Sequence, residues 1–169
     1  MIVDDNYLSA EGIEKNIDWE TLNAEIIHVC YNGTSAIEAM KKEPADLIIS
    51  DIEMPDLDGI SMSRQALEIN PMVKIILISA YDKFEYARRA LLLGALDYIE
   101  KPLDYAYLIQ KVKNAFALME KEQKNLQLLK QSRPLLTEKF FREITHLPSS
   151  EAAYRLKPYL KYLNLELNY

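Results

Sequence analysis

Cysteine is nearly absent from this chain of 169 residues: Cys30 stands alone, so no internal disulfide can form. A chain without a disulfide framework is expected in the cytoplasm. The apolar neighbours Ile26, Ile27 and Val29 suggest that Cys30 is a buried structural thiol rather than a reactive one. Long hydrophobic runs are missing as well, and no leader pattern opens the chain, so neither a membrane span nor export is expected. Positive charge is also in short supply. The net charge is −6, and it is uneven. Residues 132–169 carry six Lys/Arg against four Asp/Glu, which leaves −8 for residues 1–131. Such an acidic body repels a phosphate backbone, so the chain itself is expected to bind DNA poorly. The remaining composition is ordinary for a soluble protein, at 49% hydrophobic, 27% charged and a mean hydropathy of −0.17. The length allows one compact domain plus an appendage.

What the chain does have is a set of apolar runs that each end on a polar residue. Leu47-Ile48-Ile49-Ser50 ends on Asp51, and a turn follows through Ile52-Glu53-Met54-Pro55-Asp56-Leu57-Asp58-Gly59. Met1-Ile2-Val3 ends on Asp4-Asp5, Ile75-Ile76-Leu77-Ile78 on Ser79, and Asp97-Tyr98-Ile99-Glu100 on Lys101-Pro102. Short apolar runs closed by turn residues read as buried strands.

In chain order, Met1-Ile2-Val3 is shorter than an ordinary strand, and a few upstream residues are expected before it. A helix is predicted over Tyr7–Ile17 with Asn6 as its N-cap, and a second strand over Glu25–Tyr31, closed by Asn32-Gly33. A helix follows over Thr34–Lys42, a strand over Asp46–Asp51, and a helix over Ile60–Ile69, stopped by Asn70-Pro71. Then come a strand at Lys74–Ser79, a helix over Lys83–Leu93 ending at Gly94, a strand over Leu96–Ile99, and a long helix from near Asp104. Strands alternating with helices imply a parallel sheet covered on both faces. Right-handed crossovers leave few topologies, and five such units fit the flavodoxin-like, doubly wound order 2-1-3-4-5. That order sets the ends of the first and third strands side by side, so Asp4, Asp5 and Asp51 are expected to meet.

Three carboxylates held together raise one another's pKa unless a cation joins them. Mg²⁺ suits the cluster, because it takes one or two carboxylates along with waters and a phosphate oxygen. A lysine at the end of the fifth strand supplies a point charge for a phosphoryl oxygen, and a hydroxyl at Ser79 supplies a hydrogen bond. Together these are the parts a carboxylate nucleophile needs to accept a phosphoryl group. Each part alone has a plainer meaning. Asp56 and Asp58 read as turn-shaping residues, Ser79 as a cap, and Lys101-Pro102 as a loop that tolerates a cis peptide. A phosphohydrolase using Asp51 would favour an acid two residues on, followed by a small hydroxyl residue. Glu53 fits the first requirement, but Met54-Pro55 does not fit the second.

Over residues 1–120 these motifs resemble the receiver domain of two-component response regulators. The resemblance rests on Val3-Asp4-Asp5, Ser50–Gly59, Ile78-Ser79-Ala80-Tyr81 and Asp97–Pro102. It implies that Asp51 is the phosphoacceptor, supplied by a sensor histidine kinase. It further implies that Asp5, Asp51 and the backbone carbonyl of Glu53 hold Mg²⁺ directly, with Asp4 acting through water. Lys101 would pair with the phosphoryl group, while Ser79 and Tyr98 would form the switch pair. Glu53 and Tyr81 would line the approach to the phosphoryl group and set its lifetime. Many relatives carry Thr where this chain has Ser79, and an acidic residue where it has Asn6. The stretches Asn16–Glu20 and Ser79–Ala87 further resemble receivers joined to AraC-type helix-turn-helix outputs. No helix-turn-helix pair is recognisable here, so DNA binding is expected only through an output domain outside this chain. An alternative is a phosphorylation-independent, receiver-like interaction module.

Beyond the receiver, Ile109, Val112, Phe116, Met119, Gln123, Leu126 and Lys130 recur at spacings of three and four. That pattern fits either a short coiled-coil seam through a linker at 121–131 or a fifth helix packed on its own sheet. A homodimer is expected through this seam, or through a face where Arg88, Arg89, Asp97 and Lys111 pair across a two-fold axis. Residues 132–169 read as the start of a second domain. In them a new helix is predicted over Pro134–Thr145, a break at Leu147–Ser150, a helix over Glu151–Leu163 with Pro158 inside it, and a strand-like alternation at Leu163–Leu167.

Overall fold

The computed structural model of the chain describes residues 1–80 and 84–144, with side chains through Gln131 except those of Phe84 and Leu129. The chain divides into two units, Met1–Ala117 and Leu118–Tyr169. In the first, five parallel strands run β1 (Ile2–Val3), β2 (Val29–Cys30), β3 (Leu47–Asp51), β4 (Lys74–Ser79) and β5 (Asp97–Glu100). Their spatial order is β2-β1-β3-β4-β5, the flavodoxin-like order expected from the sequence. Between them lie α1 (Tyr7–Asn16), α2 (Gly33–Lys42), α3 (Gly59–Ile69) and α4 (Phe84–Leu93), and α5 (Tyr105–Ile144) follows β5.

Strand alternation divides the core into two layers. Val3, Ile48, Ile75 and Leu77 pack with Ala36, Met40, Met62, Ala66 and Ala90 of α2, α3 and α4. Ile2, Ile49, Ile76, Ile78 and Ile99 pack with Ala10 and Ile13 of α1 and Leu108, Val112 and Ala115 of α5. Both faces are covered, which is why β3 and β4 read as unbroken apolar runs. Cys30 is buried, as expected, and burial pushes its thiol pKa up.

Side chains start the helices. Asn6 accepts from the Leu8 and Ser9 N–H groups at the head of α1, Asn32 from Ser35 at α2, and Asp104 from Ala106 and Tyr107 at α5. Asp58, expected to shape a turn, also caps α3 through the Ser61 N–H at 2.8 Å. Gly94 ends α4 with φ +84°, a left-handed value that suits glycine. The Lys101–Pro102 peptide is cis.

Several boundaries differ from expectation. The second strand keeps only Val29–Cys30 of Glu25–Tyr31, because β1 has two residues and pairs only with those two. β5 begins and ends one residue later than expected. A new helix at Pro134 is not observed, since α5 continues through Ser132-Arg133-Pro134 to Ile144. An interior proline removes one backbone hydrogen bond, but the flanking Leu, Lys, Gln and Glu residues are strong helix formers. The Leu147–Ser150 break, the Glu151–Leu163 helix and the Leu163–Leu167 strand lie outside the described residues, as does Lys83 at the head of α4. Of the seven seam positions, Ile109, Val112 and Phe116 pack into the first unit's own core. Gln123, Leu126 and Lys130 are exposed. Packing on the sheet therefore uses the front of the pattern. No helix among the described residues is long and apolar enough to cross a membrane.

Candidate functional site

The site lies at the carboxyl ends of β1, β3, β4 and β5, where open parallel sheets bind their ligands. Adjacent pairing of β1 with β3 sets Val3 beside Ser50, so the next residues, Asp4 and Asp51, emerge side by side. Carboxylate oxygens of Asp4, Asp5 and Asp51 all lie within 4.8 Å of one another. Asp4 and Asp51 are 1% and 6% exposed, whereas Asp5 faces solvent. The cluster is thus a buried acidic pair with one open side.

Lys101 answers it from the end of β5. Its Nζ lies 2.9 Å from Asp4 Oδ2 and 3.4 Å from Asp51 Oδ1. Asp4 Oδ1 also accepts the Asn6 N–H at 2.9 Å. Asp51 is less well served: Oδ1 is buried and, beyond the 3.4 Å ion pair, accepts no hydrogen bond among the described residues. Burial pushes the Asp51 pKa up to about 6, with Lys101 pulling it back and Asp4 pushing it further. Burial acts to lower the Lys101 pKa, but Asp4 and Asp51 outweigh it, and the ammonium is held above its ordinary value. A buried carboxylate beside two others, short of donors, fits a cation. The donors are all oxygens, which suits Mg²⁺.

Ser79 ends β4 fully buried, and its backbone carbonyl accepts the Lys101 N–H at 2.8 Å. Tyr98, half-buried on β5, packs against the core layer shared with α2, α3 and α4. Between Asp51 and α3 the loop folds back on itself: the Met54 and Gly59 N–H groups both bond Ile52 O, and Asp56 takes φ +65°. Gly59 is there because a Cβ would lie 2.0 Å from the Asp51 carbonyl oxygen. Tyr81 lies outside the described residues.

Two further residues border the site, and the sequence alone assigned neither of them to it. Tyr86 Oη donates to Glu53 Oε1 at 3.1 Å, tying α4 to the loop after β3. Tyr86 and Arg89 share with Asp5 and Glu53 a cleft of about 380 Å³. Both lie one helix turn or more beyond the strand ends, so they join the site only through the packing of α4. Asp97 and Lys111, two of the residues expected on a dimer face, pair with each other within the chain at 2.6 Å, and Arg88 pairs with Glu85 at 3.5 Å.

A doubly wound sheet carrying an acidic cluster and one lysine at its strand ends defines a CheY-like α/β protein. The response regulator receiver domain profile matches residues 1–113, and the chain belongs to that family. The chain is 28% identical over 122 residues to YesN of Bacillus subtilis (strain 168), an uncharacterized transcriptional regulatory protein. That match covers 72% of this chain and 33% of YesN, so the chain spans about a third of that relative's length. Among solved structures, it is similar to the REC domain of the response regulator AraT from Geobacillus stearothermophilus. The identity is 34% and the TM-score 0.68, covering 72% of this chain and 95% of that one. It is also similar to a two-component transcriptional regulator AraC from Clostridium phytofermentans ISDg, with 31% identity, TM-score 0.65, and 73% and 95% coverage.

Proposed function

We propose that this chain is the phosphoryl-accepting receiver of a two-component regulator, with Asp51 as the acceptor. In this reading a sensor histidine kinase supplies the phosphoryl group from a phosphohistidine. An Asp51 carboxylate oxygen attacks phosphorus, the O–P bond forms, the N–P bond breaks, and its electron pair returns to the imidazole. The observation that carries the reading is the state of Asp51: buried, raised to about 6, and 3.4 Å from Lys101.

Asp5, Asp51 and the backbone carbonyl of Glu53 would hold Mg²⁺, with Asp4 acting through water. When bound, the ion neutralises charge that develops on the transferred group. Lys101 offers its ammonium to a phosphoryl oxygen. It is already shared between Asp4 and Asp51, so pairing with the new group repartitions a charge that is in place. The Ser79 hydroxyl and the Tyr98 ring form the switch pair, biasing the surface of α4, β5 and α5 between two states. Leu91 and Leu92 of α4, 77% and 78% exposed, give that surface the apolar area a homodimer needs. The output is transcriptional, through an AraC-type DNA-binding domain outside this chain, and residues 132–169 begin a second domain. Similarity to transcriptional regulators and to the Clostridium structure supports this assignment. The domain signals and turns over no external substrate.

The test is intact mass after incubation with Mg²⁺ and an acyl phosphate. One added phosphoryl group is expected, and it should be lost in Asp51→Asn and in chelator. No adduct with any donor, together with no Mg²⁺ binding, would leave a phosphorylation-independent interaction module.

A further inference from the structure

We infer that Tyr86 is a specificity-determining residue of the cation site, acting by holding the Glu53 carboxylate out of it; this rests on the Mg²⁺ reading above. Glu53 stands two residues after Asp51 and lines the same cleft as Asp5. Yet its carboxylate is not one of the three whose oxygens lie within 4.8 Å of one another. The Tyr86 hydroxyl engages it from α4, 3.1 Å away and 33 residues on in sequence. The backbone beside it is pinned, with Ile52 N–H bonded to Ile78 O at 2.8 Å and Met54 N–H to Ile52 O at 3.2 Å. With its backbone fixed, Glu53 keeps only side-chain torsions to choose where its charge sits, and the phenol selects the α4 wall. Arg89, one turn beyond Tyr86 and lining the same cleft, favours a carboxylate on that wall.

The consequence is a limit on ligand number. Two carboxylates held directly and a third through water, with positions open for further waters, suit Mg²⁺, which keeps much of its hydration shell and tolerates only near-octahedral geometry. A fourth carboxylate swinging in from the cleft would suit Ca²⁺, which takes six to eight oxygens and accepts irregular geometry. Tyr86 thus acts on the ion through Glu53 without touching it.

The experiment is calorimetric titration of Mg²⁺ and of Ca²⁺ into the full chain and its variants at fixed pH. Tyr86→Phe keeps the ring and removes the hydroxyl. It is expected to shift the ratio of Ca²⁺ to Mg²⁺ affinity about threefold or more toward Ca²⁺. Glu53→Gln still accepts the phenol hydrogen bond but offers no carboxylate. In that background, Tyr86→Phe should leave the ratio unchanged. An unchanged ratio in Tyr86→Phe alone, or an equal shift with and without the Glu53 charge, overturns the inference. A merely structural role for the hydroxyl would lower both affinities together. Failure of the unaltered chain to bind Mg²⁺ strikes the underlying reading instead, so the two failures are distinguishable.

Discussion

Asp51 carries the residue-scale predictions. Its pKa of about 6 stands above the value of about 3.9 for an unfolded aspartate. The folded chain therefore binds that proton more readily, and Asp51 costs stability as pH rises from about 4 through 6. In chelator, Asp51→Asn should match the unaltered chain near the bottom of that window and exceed it by about 2 kcal/mol above pH 7. Thermal unfolding across the range checks this; a difference that stays flat with pH refutes it. Lys101 behaves in the opposite sense. Lys101→Met leaves buried Asp4 and Asp51 without their shared cation, and should cost about 3 kcal/mol at pH 7 in chelator. Millimolar Mg²⁺ should restore part of that loss, as urea titrations with and without the ion would reveal.

At the scale of elements, the loop from β3 to α3 is set by contact rather than propensity. Gly59 touches the Asp51 carbonyl so closely that a methyl has nowhere to go without moving Asp51 itself. Gly59→Ala is expected to destabilise by about 2–3 kcal/mol and to slow phosphorylation, since the displaced backbone belongs to the proposed acceptor. Equal chemical denaturation midpoints for the two chains would contradict it. The N-cap of α2 is a milder case. Asn32→Ala removes the acceptor of the Ser35 N–H and should cost about 1 kcal/mol, with phosphorylation unchanged because α2 contributes no residue to the cluster. The Asp97–Lys111 pair joins β5 to α5 at a half-buried position.

For the whole molecule, the proposed homodimer raises the question of which surface would meet a second copy. Phosphorylated chain is expected to elute earlier than unmodified chain in size exclusion, and Leu91→Glu with Leu92→Glu should abolish the shift while leaving the mass adduct intact. Both leucines are largely exposed, so charge there costs the monomer little. A shift that survives both substitutions would move the dimer surface elsewhere, Leu126 and Leu128 of α5 being one further exposed apolar pair.

Much of this was legible in the residues themselves. The alternation of apolar runs with helical spacings determined five strands and five helices, and the handedness of crossovers allowed few orders besides 2-1-3-4-5. The polar residue ending each run then named Asp4, Asp5, Asp51, Ser79 and Lys101, because strand ends on one edge of a parallel sheet converge whatever the details of packing. Three things were decided only in three dimensions. The length of β2 depended on how many residues β1 had to pair with it. The path of α5 through Pro134 depended on its neighbours' helical preference outweighing one lost hydrogen bond. The meeting of Tyr86 with Glu53 depended on how α4 lies against the β3–α3 loop, a side-chain contact across 33 residues that no local spacing encodes. Local patterns fix which residues reach the sheet's edge, while long-range packing decides which of their neighbours bend back to meet them.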